Sequence, residues 1–156
     1  MKKFWFSNII YPYARFYWKW FRPTTRGVRA VLERDGEVLL VKHAARNHWS
    51  LPGGGVKKTE DGYQGLLREL KEELSIVPER ILNHRLLGTY QNNREGKIDT
   101  VEIFVLVCKG KEFVQGYELD DAQWFPLDAL PETVSPAALR RVREYQRGEW
   151  GIDGEW

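Results

Sequence analysis

Three glutamates, Glu69, Glu72 and Glu73, lie at positions i, i+3 and i+4 of the segment Gly53–Ile76, GGGVKKTEDGYQGLLRELKEELSI. On a helix turning about 100° per residue they fall at about 0°, −60° and +40°, so all three carboxylates share one face. Leu66, Leu70 and Leu74 fall between about 60° and 140° and make the adjoining apolar stripe. Such a helix buries one side and presents a dense acidic face beside it. Like charges four residues apart repel by a few tenths of a kcal/mol. A divalent cation held between them removes that repulsion. Clustered oxygen ligands without cysteine favour a hard cation, magnesium or manganese. Magnesium keeps several waters and takes a few carboxylates plus phosphate oxygens from a substrate. Glycines 53–55, just before the helix, let backbone groups approach a metal or a phosphate closely. Alone, the three glutamates would read as a solvated helix face with Arg68 and Lys71 as partners, since such patterns are common on surface helices.

The elements that must position this face can be read around it. The helix is predicted from about Asp61 to Leu74, with Asp61 as N-cap and Gln64 where a capping box would put it. Gly62 and Gly65 weaken its first turn, by about 1 kcal/mol per interior glycine. Upstream, Val28–Leu32 and Glu37–Lys42 read as strands joined by an Asp35-Gly36 hairpin turn. A loop, Ala44–Lys58, leads into the helix. Downstream strands are expected at Arg85–Tyr90, Thr100–Cys108 and Gln123–Phe125, with a short one at Glu112–Val114. A last helix starts at Ser135 with Pro136 in its first turn, runs to about Arg147 and closes at Gly148. Strands before, between and after two helices indicate a mixed α/β (α+β) domain, without fixing the strand order. The chain divides into an extension, 1–23, a domain, 24–148, and a tail, 149–156. The tail repeats Gly-Glu-Trp and reads as loosely held unless Trp150 and Trp156 dock.

Composition narrows the class. With 156 residues the chain suits one core. Its formal net charge of +2 gives no general bias toward polyanions, so no stable nucleic-acid partner is expected. A lone cysteine, Cys108, excludes an internal disulfide and a thiolate metal cluster, and its apolar surroundings suit a buried, inert thiol. The N-terminal stretch is broken by Pro12, Arg15 and Lys19, so neither a signal peptide nor a membrane span is expected, and a cytoplasmic location is. Residues 1–23 carry many aromatics, Phe4 to Phe21, and only basic charges. They must pack on the domain, on a second subunit or on a membrane surface. A homodimer through this extension is the expectation, with membrane contact disfavoured.

Taken whole, the segment resembles the Nudix box: Gly54, five residues, Glu60, seven residues, then Arg68-Glu69-Leu70-Lys71-Glu72-Glu73-Leu74-Ser75-Ile76. One position departs, Ser75 standing where the family has glycine. Serine in the left-handed geometry expected there costs roughly 1–2 kcal/mol. Trp49–Gly55 resembles the family's lead-in, and Trp124-Phe125-Pro126-Leu127 with Leu130-Pro131 its late strand and loop. The resemblance spans about Gly27–Gln146. It implies a Nudix-type α/β/α sandwich with a mixed sheet, and magnesium-dependent hydrolysis of a pyrophosphate bond beside a nucleoside. It further implies that Glu69, Glu72 and Glu73 hold Mg2+, with Mn2+ as a substitute. Glu69 would also serve as base, Arg68 would orient a box glutamate, Glu60 would support the loop, and the carbonyl of Gly54 or Gly53 would complete a metal shell.

A further carboxylate from a late loop is expected, with Glu118, Asp120 and Asp121 as candidates, since Gln123 leaves no acid just before Trp124. Arg29, Lys42, Arg46 and Lys57 are candidates for phosphate contact, though each taken singly reads as a solvated charge. His43, His48 and His84 show no metal-ligand spacing and read as ordinary surface or loop histidines. The leading substrate is a nucleoside diphosphate sugar such as ADP-ribose, because relatives acting on such sugars often dimerise through extra N-terminal elements. The alternatives are a nucleoside triphosphate pyrophosphatase, an RNA pyrophosphohydrolase, and an inactive Nudix-like nucleotide-binding regulator. Regulators of that kind typically lose box glutamates, which are all present here.

Overall fold

The computed structural model describes residues 24–44, 46–92 and 98–156. The extension 1–23, with the dimer and membrane expectations attached to it, lies outside the described residues. In chain order the elements are strands β1 (Thr24–Arg34) and β2 (Glu37–His43), helix α1 (Gly62–Leu74), a 3-10 turn (Pro78–Arg80), strands β3 (Ile81–Asn92), β4 (Ile98–Cys108) and β5 (Leu119–Pro126), helix α2 (Pro136–Gln146) and strand β6 (Ile152–Glu155). The β1–β2 hairpin turns at Asp35 and Gly36, both at positive φ (53° and 76°), the geometry that Asp-Gly accommodates.

One six-stranded mixed sheet runs β5-β2-β1-β4-β3-β6. The β1/β4 and β3/β6 pairs are parallel and the others antiparallel. Side chains alternate across β1. Val28, Ala30 and Leu32 pack with Leu66, Leu70 and Leu74 of α1, while Val31 packs with Ala138 and Val142 of α2. Because β1 is covered on both faces, its middle is apolar without interruption from Ala30 to Leu32. The result is the expected α/β/α sandwich. Each fully buried leucine of α1 contributes roughly 1.5–3 kcal/mol to holding the helix on the sheet.

Helix α1 starts as the sequence indicates. The Gln64 amide donates to Asp61 Oδ1 at 2.8 Å, and the Asp61 amide donates to Gln64 Oε1 at 3.2 Å. It ends at Ser75, whose φ of 54° is left-handed. Ser135 caps α2, its hydroxyl accepting from the Ala138 amide, and Gly148 follows at φ 67°.

One sequence expectation changes, and the alternative left open for the tail is the one realised. Residues Glu112–Val114 form no strand. The Val114 amide donates to the Leu74 carbonyl at 3.0 Å and the Gly116 amide to the Glu73 carbonyl at 2.7 Å. This segment therefore satisfies carbonyls at the end of α1 instead of joining a ladder. The tail does dock. Residues 152–155 form β6 beside β3, Trp150 meets Tyr145 edge-on with Arg85 over its face, and the Trp156 amide donates to the Gln91 carbonyl at 2.9 Å. Cys108 is buried and burial pushes its thiol up to about 11, as an inert core cysteine requires.

Candidate active site

The loop before α1 is laid along β1 by backbone pairing. The Val28 amide donates to the Gly54 carbonyl, the Ala30 amide to the Pro52 carbonyl, and the Val56 amide to the Arg26 carbonyl, each at 2.9 Å. This brings the glycines under the acidic face of α1. A Cβ on Gly54 would lie 2.4 Å from the Glu69 carboxyl carbon, so the glycine makes room for that carboxylate. Gly53 has φ 127°, and a Cβ there would lie 2.3 Å from the Val28 carbonyl oxygen. Its amide donates to Glu73 Oε2 at 3.0 Å, and its carbonyl accepts from the Arg29 guanidinium. The Gly54 and Gly53 carbonyls, expected as metal ligands, are thus already engaged with Val28 and Arg29.

The three glutamates part company. Glu73, on the side of α1 nearest the leucine stripe, is 5% exposed. Burial pushes its carboxyl up to about 7, with repulsion from Glu69 and Glu118 adding and the Gly53 amide and Arg29 opposing. Glu69 accepts from Arg68 at 2.7 Å. Glu72 points the other way from the stripe, its side chain 60% exposed and 3.5 Å from Arg68. Arg68 is the hub of the box. Its Nε and Nη2 hold the two oxygens of Glu60 at 2.8 and 3.0 Å, and Nη2 also donates to the Gly55 carbonyl at 2.8 Å. The Arg68 hydrogen bonds hold the Glu60 carboxyl down at about 2, and the two acids in turn raise Arg68.

Glu69 and Glu73 open onto a cleft of 360 Å³ whose other walls include Arg29, His43, Arg46 and Glu118. Of the sequence candidates, the fold gathers Glu69, Glu73, Gly54, Arg29, Arg46 and Glu118 here. It leaves Glu72 at the rim. Lys42 lies with its ammonium 5.3 Å from the ring centre of Trp49, in the cluster under α2. Lys57 is exposed and offers its amide to Glu60. Asp120 and Asp121 are exposed on β5, Asp121 accepting from the Ala122 amide. None of these four lines the cleft.

His43 was missed. It ends β2 two residues after Val41, which belongs to the α1-side cluster. Its Nε2 is buried, 3.6 Å from Glu73 Oε1, and has no hydrogen-bond partner among the described residues. Burial, then Arg29 and Arg46, lower its pKa, so it is neutral at neutral pH. The strand's period of two was the available signal.

A NUDIX domain model matches residues 22–145. The chain belongs to the Nudix family. An ADP-ribose pyrophosphatase of Methanocaldococcus jannaschii is 31% identical over 129 residues, covering 80% of this chain and 74% of the relative. A CTP pyrophosphohydrolase of Escherichia coli is 40% identical over 120 residues, covering 72% and 84%. The crystal structure of a MutT Nudix hydrolase from Burkholderia pseudomallei superposes with a TM-score of 0.68 at 25% identity, covering 78% of this chain and 97% of that one.

Nudix hydrolases use divalent cations, and the donor set here fits one. Among the described residues no three His, Cys, Asp or Glu side chains form a ready-made metal cage. The carboxylates of Glu69, Glu73 and Glu118 line one cleft, and so few protein oxygens suit an ion that arrives with waters and phosphate oxygens to complete its shell. Among the described residues, no helix is long and apolar enough to cross a membrane.

Proposed function

We propose that this Nudix hydrolase cuts the pyrophosphate bond of a nucleoside diphosphate sugar such as ADP-ribose, releasing a nucleoside monophosphate and a sugar phosphate. The observation that carries this reading is the meeting of Glu69 and Glu73 with Arg29 and Arg46 in one cleft. Carboxylates for a cation and guanidiniums for phosphate oxygens are the two halves of a diphosphate site.

Glu69, Glu72 and Glu73 would hold Mg2+, for which Mn2+ would substitute. Bound there, the metal supplies neutralisation of phosphate charge and a lowered pKa for attacking water. Arg29 and Arg46 bind and orient the phosphates. Glu69, itself positioned by Arg68, accepts the proton that the attacking water loses as its oxygen bonds to phosphorus and the bridging P–O bond breaks. Glu118, which lines the same cleft, is the late acid that faces this reaction. Glu73 anchors the glycine loop through the Gly53 amide while facing the cleft.

The 31% identical ADP-ribose pyrophosphatase supports the sugar-nucleotide reading. The 40% identical CTP pyrophosphohydrolase favours a second one, release of pyrophosphate from a nucleoside triphosphate. A magnesium-dependent hydrolysis screen over sugar nucleotides, triphosphates, dinucleoside polyphosphates and capped RNA separates them by product. Nucleoside monophosphate with sugar phosphate carries the first reading, and nucleoside monophosphate with pyrophosphate the second. Absence of hydrolysis across the panel would leave the nucleotide-binding regulator. The proposal that residues 1–23 pair two copies is tested by light scattering of the full chain against one lacking them.

A further inference from the structure

Arg29 and Arg46 also line a second compartment, of 310 Å³, that adjoins the acidic cleft. Its other walls include Asn92 at the end of β3, Ser135 at the start of α2, Arg140 one turn further on, and Trp156 after β6. Among the described residues, no acidic side chain lines it. Its size falls at the lower end of small-ligand pockets, and two shared arginines mark the boundary. A diphosphate seated on those arginines would send one end group toward Glu69 and Glu73 and the other into this compartment.

Trp156 is held in place from several directions. Its amide is bonded to the Gln91 carbonyl at 2.9 Å. The preceding carbonyl, of Glu155, accepts from Arg141 Nη1 at 3.1 Å. Arg141 is 3% exposed. Its Nη2 donates to Glu144 at 2.7 Å, Glu144 accepts from the Tyr90 hydroxyl at 2.8 Å, and the guanidinium lies 3.7 Å from the Tyr90 ring centre. The Trp156 ring in turn lies 6.4 Å from that of Tyr90, tilted by 57°. None of Tyr90, Arg141 and Glu144 lines the acidic cleft. The network clamps the last strand to α2 and so fixes the indole beforehand, which lowers the entropy lost when a ligand packs on it.

We propose that Trp156 is the aromatic wall on which the substrate's nucleobase stacks, with Asn92 offering the donor and acceptor that a base edge requires. This rests on the reading above that the substrate is a nucleotide. Arg29, Arg46 and Arg140 supply cations for the phosphate attached to the nucleoside, while the planar ring of Trp156 and the Asn92 amide, with no carboxylate beside them among the described residues, suit its uncharged base. The metal-facing end, with its acids, does not.

The test is calorimetric titration of the metal-free protein with each of the four common nucleoside monophosphates, and with ribose 5-phosphate. Trp156→Ala is expected to weaken the best-bound nucleotide by roughly tenfold or more. Trp156→Phe should retain most of the affinity, and ribose 5-phosphate should bind the same throughout. Trp156→Leu, which keeps apolar bulk without a ring, should behave like the alanine variant and covers the case in which alanine unfolds the chain. In turnover, the variants should raise KM and leave kcat within about twofold. Equal nucleotide affinity in wild type and Trp156→Leu would overturn the proposal, as would a wild type that binds none of the four at millimolar concentration. Because the titration needs no turnover, loss of the hydrolase reading alone would show as binding without magnesium-dependent hydrolysis.

Discussion

The Gly53 amide donates to the Glu73 carboxylate at 3.0 Å, tying the glycine loop to the helix twenty residues further on. A buried acid thereby both anchors the loop and faces the cleft. Glu73→Gln keeps an acceptor for that amide and removes the charge. We expect it to fold normally and to lose turnover by roughly a thousandfold. Glu72→Gln, at the exposed rim, should also abolish turnover and leave the melting temperature unchanged. Initial rates and thermal melts on both variants check this. An active Glu73→Gln enzyme would remove Glu73 from the metal site.

The same burial predicts a pH dependence. The Glu73 carboxyl is pushed up from 4.5 to about 7. Between those values the folded chain keeps a proton that the unfolded chain has lost, so stability falls as pH rises through that window. Above pH 7 the ionised form costs the metal-free fold on the order of 3 kcal/mol, at about 1.4 kcal/mol for each tenfold change in proton affinity. Urea midpoints in the presence of a chelator should decline from pH 4.5 to 7 in the wild type, less so in Glu73→Gln. Magnesium needs the carboxylate, so its affinity should fall roughly tenfold per pH unit below 7, with a proton released on binding. Calorimetry in two buffers of different ionisation enthalpy reads that proton directly.

The two glycines separate function from folding. Gly54→Ala puts a methyl 2.4 Å from the Glu69 carboxyl carbon, and a side chain can move. The chain should fold, and activity should drop by about a hundredfold as that carboxylate is displaced. Gly53→Ala puts a methyl 2.3 Å from a backbone oxygen on β1 at φ 127°, where nothing yields cheaply. It should abolish soluble expression or lower the melting temperature sharply. Soluble yield and circular dichroism on both variants decide.

Ser75 departs from the family pattern at a left-handed φ of 54°. Ser75→Gly removes the Cβ clash, while glycine costs more entropy in the unfolded chain. A net gain of about 1 kcal/mol is expected, raising the melting temperature by roughly 2–4 °C. Activity should not change, because Ser75 lies beyond the carboxylates. A lower melting temperature in the glycine variant would show that the serine is not a strained position.

The sequence by itself determined helix α1, its caps, its leucine stripe and the angular spread of Glu69, Glu72 and Glu73. It also determined the Asp35-Gly36 hairpin, the start of α2 and family membership. All of these rest on neighbours within a few residues, where a fixed period of 3.6 or 2 converts residue type into direction. Even the burial of Glu73 and the exposure of Glu72 were implicit in angles of about +40° and −60° relative to a stripe at +60° to +140°.

Only the tertiary structure decided which distant groups meet that face. Arg29 from β1, His43 from the end of β2, Arg46 and Glu118 converge on Glu69 and Glu73 because the sheet order sets those elements side by side. Asp120 and Asp121, carboxylates like Glu118, do not, since they lie exposed on the edge strand β5. The segment Glu112–Val114 looked like a strand, and its amides went instead to the carbonyls left open by α1. The tail looked loose, and the Arg141 network with the free edge of β3 made it β6. The physical reason is common to all four cases. A backbone amide or a charge takes the partner that packing brings within about 3 Å, and packing depends on residues far away in the chain.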